Sequence, residues 1–278
     1  RLYTQKRMDF VDQWFLMSSP VPMIAIVTTY LLFVLKIGPE YMKRRQPFQL
    51  KNVIVLYNIV QVVVSTYLVY LVSIFLFLKT WARSYFCCII GLSSLSKLCL
   101  YHAFMTNEVL DTIFFVLRKK DSQVTFLHVY HHSMMVVTSW SILKYEPTYP
   151  TIFIRNINSF VHIVMYTYYG LSAFPSLSKY LWWKKYITSM QLVQFTMILI
   201  HFIMTFLTSE CTPSYTLCLT VTLNATLFLY LFAQFYLNTY KEKDKSKVYS
   251  KESKDKITDG HSFNQSNLIH RKKLMNGN

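Results

Sequence analysis

Glycine is scarce in this chain, 5 residues in 278, and acidic residues are few, 13 against 29 lysines and arginines. No repeat of 20–50 residues runs through it and no soluble stretch stands apart, which excludes repeat architectures and a modular soluble protein. The five cysteines form no CxxC pair, so the sequence carries no CxxC metal pattern. No cleavable signal peptide is visible, because the first apolar run follows a mixed-charge dozen residues and reads as a membrane span. Arg1 stands where an initiator methionine would, so a few preceding residues are expected.

Hydrophobicity is what the chain has in excess: 53% of residues are hydrophobic and 17% aromatic. A bilayer-spanning helix needs about 20 residues. Apolar stretches of that order recur at 21–37, 52–78, 86–117, 123–143, 151–173, 186–207 and 214–240. The third is interrupted by Lys97, His102, Glu108 and Asp111. The pattern predicts an all-α membrane protein of seven transmembrane helices within residues 1–240. Residues 241–278 turn polar, lysine-rich and almost free of aromatics, which predicts a basic, disordered tail.

A net charge of +16 could suit nucleic acid, but its distribution points to membrane topology. Alternate loops hold Lys36, Lys43, Arg44, Arg45 and Lys51, then Arg118, Lys119 and Lys120, then Lys179, Lys184 and Lys185, then the tail. The opposite side has only Arg1, Lys6, Arg7, Lys79, Arg83, Lys144 and Arg155. The positive-inside rule puts the tail in the cytosol and the N-terminus across the membrane, and an even span count would spoil the alternation. Cys211, Cys87 and Cys88 fall on the non-cytosolic side. If that side is the endoplasmic reticulum lumen, a disulfide from Cys211 to Cys87 or Cys88 is permitted, with its connectivity open. Cys99 and Cys218 read as packing residues.

Ionisable groups within spans are costly and mark function by default. "FLHVYHHSMMVVTSW" places His128, His131 and His132 at i, i+3 and i+4, on one helix face. His131 lies eight residues into its span, about 12 Å of helix rise below the basic side. "NEVLDTIFFVLRKK" puts Glu108 and Asp111 on one face just before Arg118–Lys120, either as site residues or as an ion-pair network. In the next span Asn158, His162, Tyr166 and Tyr169 form a polar stripe, which could be interhelical glue. His162 at a depth comparable to His131 favours a shared site instead. Gln191, Gln194 and His201 line one face of the sixth span, with His201 structural or tunnel-lining. His102 is open to either reading, and His261 and His270 lie in the tail.

Several chemistries fit an HxxHH box. Two irons need about eight nitrogen ligands, as in desaturase-like oxidases, and only six histidines lie outside the tail. A single zinc on His128, His131 or His132 would need a carboxylate that nothing marks beyond Glu108 and Asp111. Alternatively histidine itself reacts: a neutral imidazole is a competent nucleophile and proton carrier near pH 7. An acyl-imidazole transfers its acyl group about as readily as a thioester, so acyl transfer from coenzyme A to histidine would cost little. Cations at the basic mouth would suit the phosphates of coenzyme A, unless they reflect topology alone. A seven-span receptor or transporter is the non-enzymatic alternative, disfavoured because the polar groups cluster near the basic side.

The motifs "LDTIFFVLRKK", "QVTFLHVYHH", "NSFVHIVMYTYYGLSAF" and "KYLWWKKYITSMQLVQF" resemble the ELO family of very-long-chain fatty acid elongases in order and spacing. "WFLMSSPVP", "GPEYMKRRQPFQL", "YNIVQV" and "FYLNTY" extend the resemblance over roughly residues 8–241. The resemblance implies a 3-ketoacyl-CoA synthase of the endoplasmic reticulum membrane, with six of seven helices forming an inverted barrel around an acyl tunnel. It implies malonyl-CoA and a long-chain acyl-CoA as substrates, no bound cofactor or metal, and carbon dioxide and coenzyme A as by-products. Its partners would be the bilayer and the other enzymes of the elongation cycle, with self-association allowed and nucleic acid not involved. Carried over by position, His131 would be the acyl acceptor within the box His128, His131 and His132. His162 would face it and help position or activate the malonyl unit. Asn158, Tyr166 and Tyr169 would orient the reacting groups, joined by Glu108, Asp111 and Gln191, and Arg118, Lys119, Lys120, Lys184 and Lys185 would bind coenzyme A. The chain departs from the family pattern at Met105, where lysine is usual, at Val136, where proline is usual, and at Gln234, where asparagine is usual. The glycine pair usual in the loop after the box is absent.

Overall fold

A computed structural model describes residues 12–13, 16–81, 109–145, 149–208 and 214–241, and among these there is helix but no strand. Helix α1, Val21–Leu32, runs through a π-turn, Phe33–Ile37, into α2, Gly38–Lys43. Pro39 cannot donate to a carbonyl one turn back, and the helix widens just before it. Gly38 allows close approach to Val116, because a Cβ there would sit 2.7 Å from its Cγ1. The first span therefore extends to Lys43, six residues beyond the apolar run, so Lys36 and Lys43 lie on helix rather than in a loop.

Helix α3, Lys51–Trp81, is followed among the described residues by α4, Val109–Leu117. The end of α4 is closed by Lys119 in left-handed conformation (φ 53°). The amide of Lys120 donates to Phe115 O and that of Lys119 to Val116 O, at 2.9 and 3.0 Å, which satisfies two terminal carbonyls. Helix α5, Phe126–Tyr145, begins just ahead of the histidines because Thr125 Oγ1 accepts from the amide of His128 at 3.3 Å. Val136 is fully buried within it. Helix α6 is Tyr149–Ser172, α7 is Lys184–Thr208, and α8 is Tyr215–Tyr236, its start capped by Ser214 Oγ on the amide of Leu217. Residues Ala233–Lys241 belong to a second unit of the chain and are helical, ending in a π-turn, Leu237–Lys241.

Val21–Lys43, Lys51–Ile74, Lys184–Leu207 and Tyr215–Tyr240 are long and apolar enough to cross a membrane. Side chains such as Val63, Ile200, Leu207 and Leu223 face outward, and exposed Trp182, Tyr186 and Tyr215 sit near helix ends, as aromatic residues do at membrane interfaces. This is a multi-pass membrane protein. Helices α5 and α6 have 20 and 24 residues but are less apolar, because they carry inward-facing histidine, asparagine, lysine and arginine.

Neighbour relations position the interior. Helix α3 packs along α6 with Asn58, Gln61 and Ser65 buried, a polar stripe on the membrane-spanning α3 of the kind that holds helices together in an apolar solvent. Helix α6 also packs on α7, α1 on α5, α2 on α4, and α4 on α5. Phe195, Ile198 and Phe202 of α7 cluster with Cys218, Ala225 and Phe228 of α8, and Leu127, Tyr130 and Met134 of α5 join them. Trp140 and Leu143 of α5 meet Ile152 of α6 and Met17 in a second buried cluster. Trp140 Nε1 donates to Leu16 O at 3.0 Å, and buried Lys144 bonds Asp12 and donates to Met17 O at 2.8 Å. Lys144 and Arg155, counted among the few charges of the sparsely charged side, are buried helix residues.

Candidate active site

The three histidines of the box contact one another. Ring centroids are 4.3 Å apart for His128 and His132 and 5.3 Å for His131 and His132. Phe115 of α4 lies 5.2 Å from His128, and Phe228 of α8 lies edge-on, 5.1 Å from His131. His132 is buried and the other two are half-buried. His128 Nε2 and His132 Nδ1 are out of solvent and have no hydrogen-bond partner among the described residues.

On α6, Asn158 Nδ2 approaches His162 Nε2 to 3.5 Å, a contact suited to an imidazole whose Nε2 is the acceptor. Asn158 is oriented from the other side by Gln194, whose Nε2 donates to Asn158 Oδ1 at 2.9 Å. Tyr166, one turn beyond His162, meets its ring edge-on at 5.5 Å and donates to Asp111 Oδ2 at 2.7 Å. Thr112 beside Asp111 is fully buried and pairs with Tyr30 of α1 at 2.9 Å. The structure thus joins His162, Asn158, Tyr166 and Asp111 in one run. Gln191 ends on Met165 Sδ at 3.8 Å, and Tyr169 is 41% exposed. Glu108, Met105, Cys87, Cys88 and Cys211 lie outside the described residues.

A cavity of about 90 Å³ lies between α5, α6, α7 and α8. Its polar head is His131, Asn158 and Gln194, and its walls continue to Ile142, Thr151 and Ile198. On α5 and α7 that direction leads away from the helix ends that follow Arg118–Lys120 and begin with Lys184–Lys185. Loop contacts gather cations at that end: Phe48 N donates to Leu117 O at 3.1 Å, and Lys51 Nζ sits 5.0 Å above the Phe174 ring. His201 does not line the cavity and stacks on Phe153 at 4.2 Å. Among the described residues, no three His, Cys, Asp or Glu side chains converge as a metal site.

Sequence reasoning missed two features of this site. Gln194, rather than Gln191, reaches Asn158; both sit on one stripe, and only the packing of α7 on α6 distinguishes them. Arg155 is 5% exposed and lines the cavity, and its place inside an apolar run was the available signal.

Residues 15–248 match the ELO family, described as the GNS1/SUR4 family. The chain belongs to the ELO family. It is 41% identical to rat very long chain fatty acid elongase 7 over 74% of this chain and 75% of that protein. It is 43% identical to mouse very long chain fatty acid elongase 2 over 69% of this chain and 66% of that one. Human very long chain fatty acid elongase 1 is 42% identical, with 72% and 74% covered.

Proposed function

We propose that this ELO family member is a very-long-chain 3-oxoacyl-CoA synthase, condensing a long-chain acyl-CoA with malonyl-CoA. The observation that carries the reading is His131 at the head of a cavity that runs between apolar walls away from a basic end. The names of the related proteins support it. In the first half-reaction a nitrogen of His131 attacks the thioester carbonyl, the C–S bond breaks, and the coenzyme A thiolate leaves an acyl-imidazole. In the second, malonyl-CoA loses carbon dioxide, and the resulting carbanion attacks the acyl carbonyl as the C–N bond breaks, freeing His131. His162, held by the Gln194–Asn158 chain, is placed to orient the malonyl thioester oxygen or carry a proton. Arg118, Lys119, Lys120, Lys184 and Lys185 bind the phosphates at the mouth, and no bound cofactor takes part.

The same reading makes α3, α6, α7, α8, α5 and α4 a six-helix barrel, with α1 and α2 as the outer seventh span. The packing of α3 on α6, α6 on α7 and α4 on α5, the α7–α8 cluster, and the Tyr57–Phe114 ring contact (5.3 Å) between α3 and α4 support that order. The protein would lie in the endoplasmic reticulum membrane with its tail cytosolic and its N-terminus lumenal, beside the other enzymes of the elongation cycle. Membranes containing the protein, given malonyl-CoA and acyl-CoAs of graded length, should form 3-ketoacyl products two carbons longer than the acyl substrate. Stoichiometric iron in the purified protein, with no such products, would replace this reading by an oxidase.

A further inference from the structure

Four helices contribute side chains to the head of the cavity: His131 from α5, Asn158 from α6, Gln194 and Phe195 from α7, and Phe228 from α8. His131, Asn158 and Gln194 make one half of that layer polar, and Phe195 and Phe228 make the other half aromatic. The chemistry engages the polar half, which leaves the aromatic half to shape the space beside it. Phe228 is 5% exposed and is held by three rings. Its ring centroid lies 5.1 Å from that of His131, 5.4 Å from that of Phe195 and 5.5 Å from that of Tyr130. Tyr130 is itself tied to α8, donating to Asn224 Oδ1 at 3.1 Å, while Asn224 Nδ2 donates to Thr220 O at 2.8 Å. A ring packed at interior density cannot turn aside without moving its neighbours. Rings with centroids 5.1 Å apart are in contact, so no methylene passes between His131 and Phe228. Carbons 2 and 3 of an acyl chain lie one and two bonds, of about 1.5 Å each, beyond a carbonyl held at His131. A chain that runs from His131 into the cavity therefore brings these carbons against Phe228. Deeper along the wall, Met134, Ala225 and Val221 are smaller or more adaptable.

We propose that Phe228 determines specificity at the head of the cavity, admitting acyl chains that are unbranched at carbons 2 and 3 and excluding chains methylated there. An extra methyl facing a fixed ring must displace it, and one misfitted methylene in a packed pocket is worth about 10–200-fold in kcat/KM. A methyl carried far from the thioester lies beyond Phe228 and escapes this selection. The inference rests on the elongase reading for its substrate and adds to it a class of chain.

The test uses the purified full chain and its Phe228→Leu, Phe228→Ala and Phe202→Leu variants. Phe202 belongs to the same α7–α8 cluster and is 1% exposed, but it does not line the cavity. Straight-chain, 2-methyl, 3-methyl and terminally branched acyl-CoAs are measured for competitive binding and for kcat/KM with malonyl-CoA. A methyl beside a carbonyl slows attack in every protein, so the readout is the change in the branched-to-straight ratio between proteins. Phe228→Ala should raise that ratio about tenfold or more for the 2-methyl or 3-methyl chain, and change it by less than about twofold for the terminally branched one. Phe228→Leu should raise it by less, and keeps the test readable if Phe228→Ala unfolds. Phe202→Leu should lower the unfolding midpoint without moving the ratio. A ratio unmoved by the Phe228 variants, or moved equally by Phe202→Leu, overturns the proposal, and elongation of straight chains would then leave the elongase reading standing. A Phe228-dependent binding ratio without any 3-keto product upholds the constriction and removes the elongase reading.

Discussion

Tyr166 donates a 2.7 Å hydrogen bond to Asp111, joining residues 55 positions apart on α6 and α4. Tyr166 is almost fully buried, and its ring packs edge-on against both His162 and Tyr57 (5.9 Å). The bond therefore fixes one side of His162 as it ties two helices together. Tyr166→Phe keeps the ring and removes the donor to a carboxylate, which should cost about 1–3 kcal/mol of stability and lower turnover. Thermal unfolding and product formation measured together check this; unchanged values in both would remove Asp111 from the site's support.

The Gln194–Asn158–His162 chain makes a contrast available within one helix face. Gln194→Leu leaves Asn158 Oδ1 without its donor and lets the amide turn, so kcat should fall at least tenfold with little change in KM. Gln191→Leu loses only a long contact to Met165 and should be milder. Equal losses in the two variants would mean that neither acts through Asn158.

His131 borders a cavity and is half-buried, so His131→Ala should abolish turnover while shifting the unfolding midpoint little. With acyl-CoA alone, the unmodified protein should release coenzyme A in a burst and gain the mass of one acyl chain at His131, discharged by malonyl-CoA. His128→Ala and His132→Ala should lose activity and also stability, because these rings pack on each other and on Phe115. Absence of a burst, with condensation requiring both substrates together, would make the box a general base or an oxyanion-stabilising cluster.

Neutralising Lys119 with Lys120, or Lys184 with Lys185, should raise KM for both CoA substrates several-fold, more at low salt than at high salt. Lys119 has a further consequence: its left-handed backbone suits glycine, so Lys119→Gly should remove the charge without loss of stability. A KM unmoved in correctly inserted protein would leave the cluster a topological signal only.

Hydrophobic length and the i, i+3, i+4 spacing of the histidines were enough to determine membrane helices and a shared histidine face. Both are local properties: a span must cover the hydrocarbon core, and 3.6 residues per turn fixes which side chains align. The helix end at Lys43 was not legible, because polar residues continue a helix that the hydropathy profile has already abandoned. Tertiary structure alone decided that Gln194 holds Asn158, that Tyr166 meets Asp111, and that Lys144 and Arg155 turn inward. A stripe of polar residues states which side of a helix is polar, but not which neighbouring helix that side faces or at what height. Those are set by how α3, α4, α6 and α7 pack, through contacts between residues far apart in the chain.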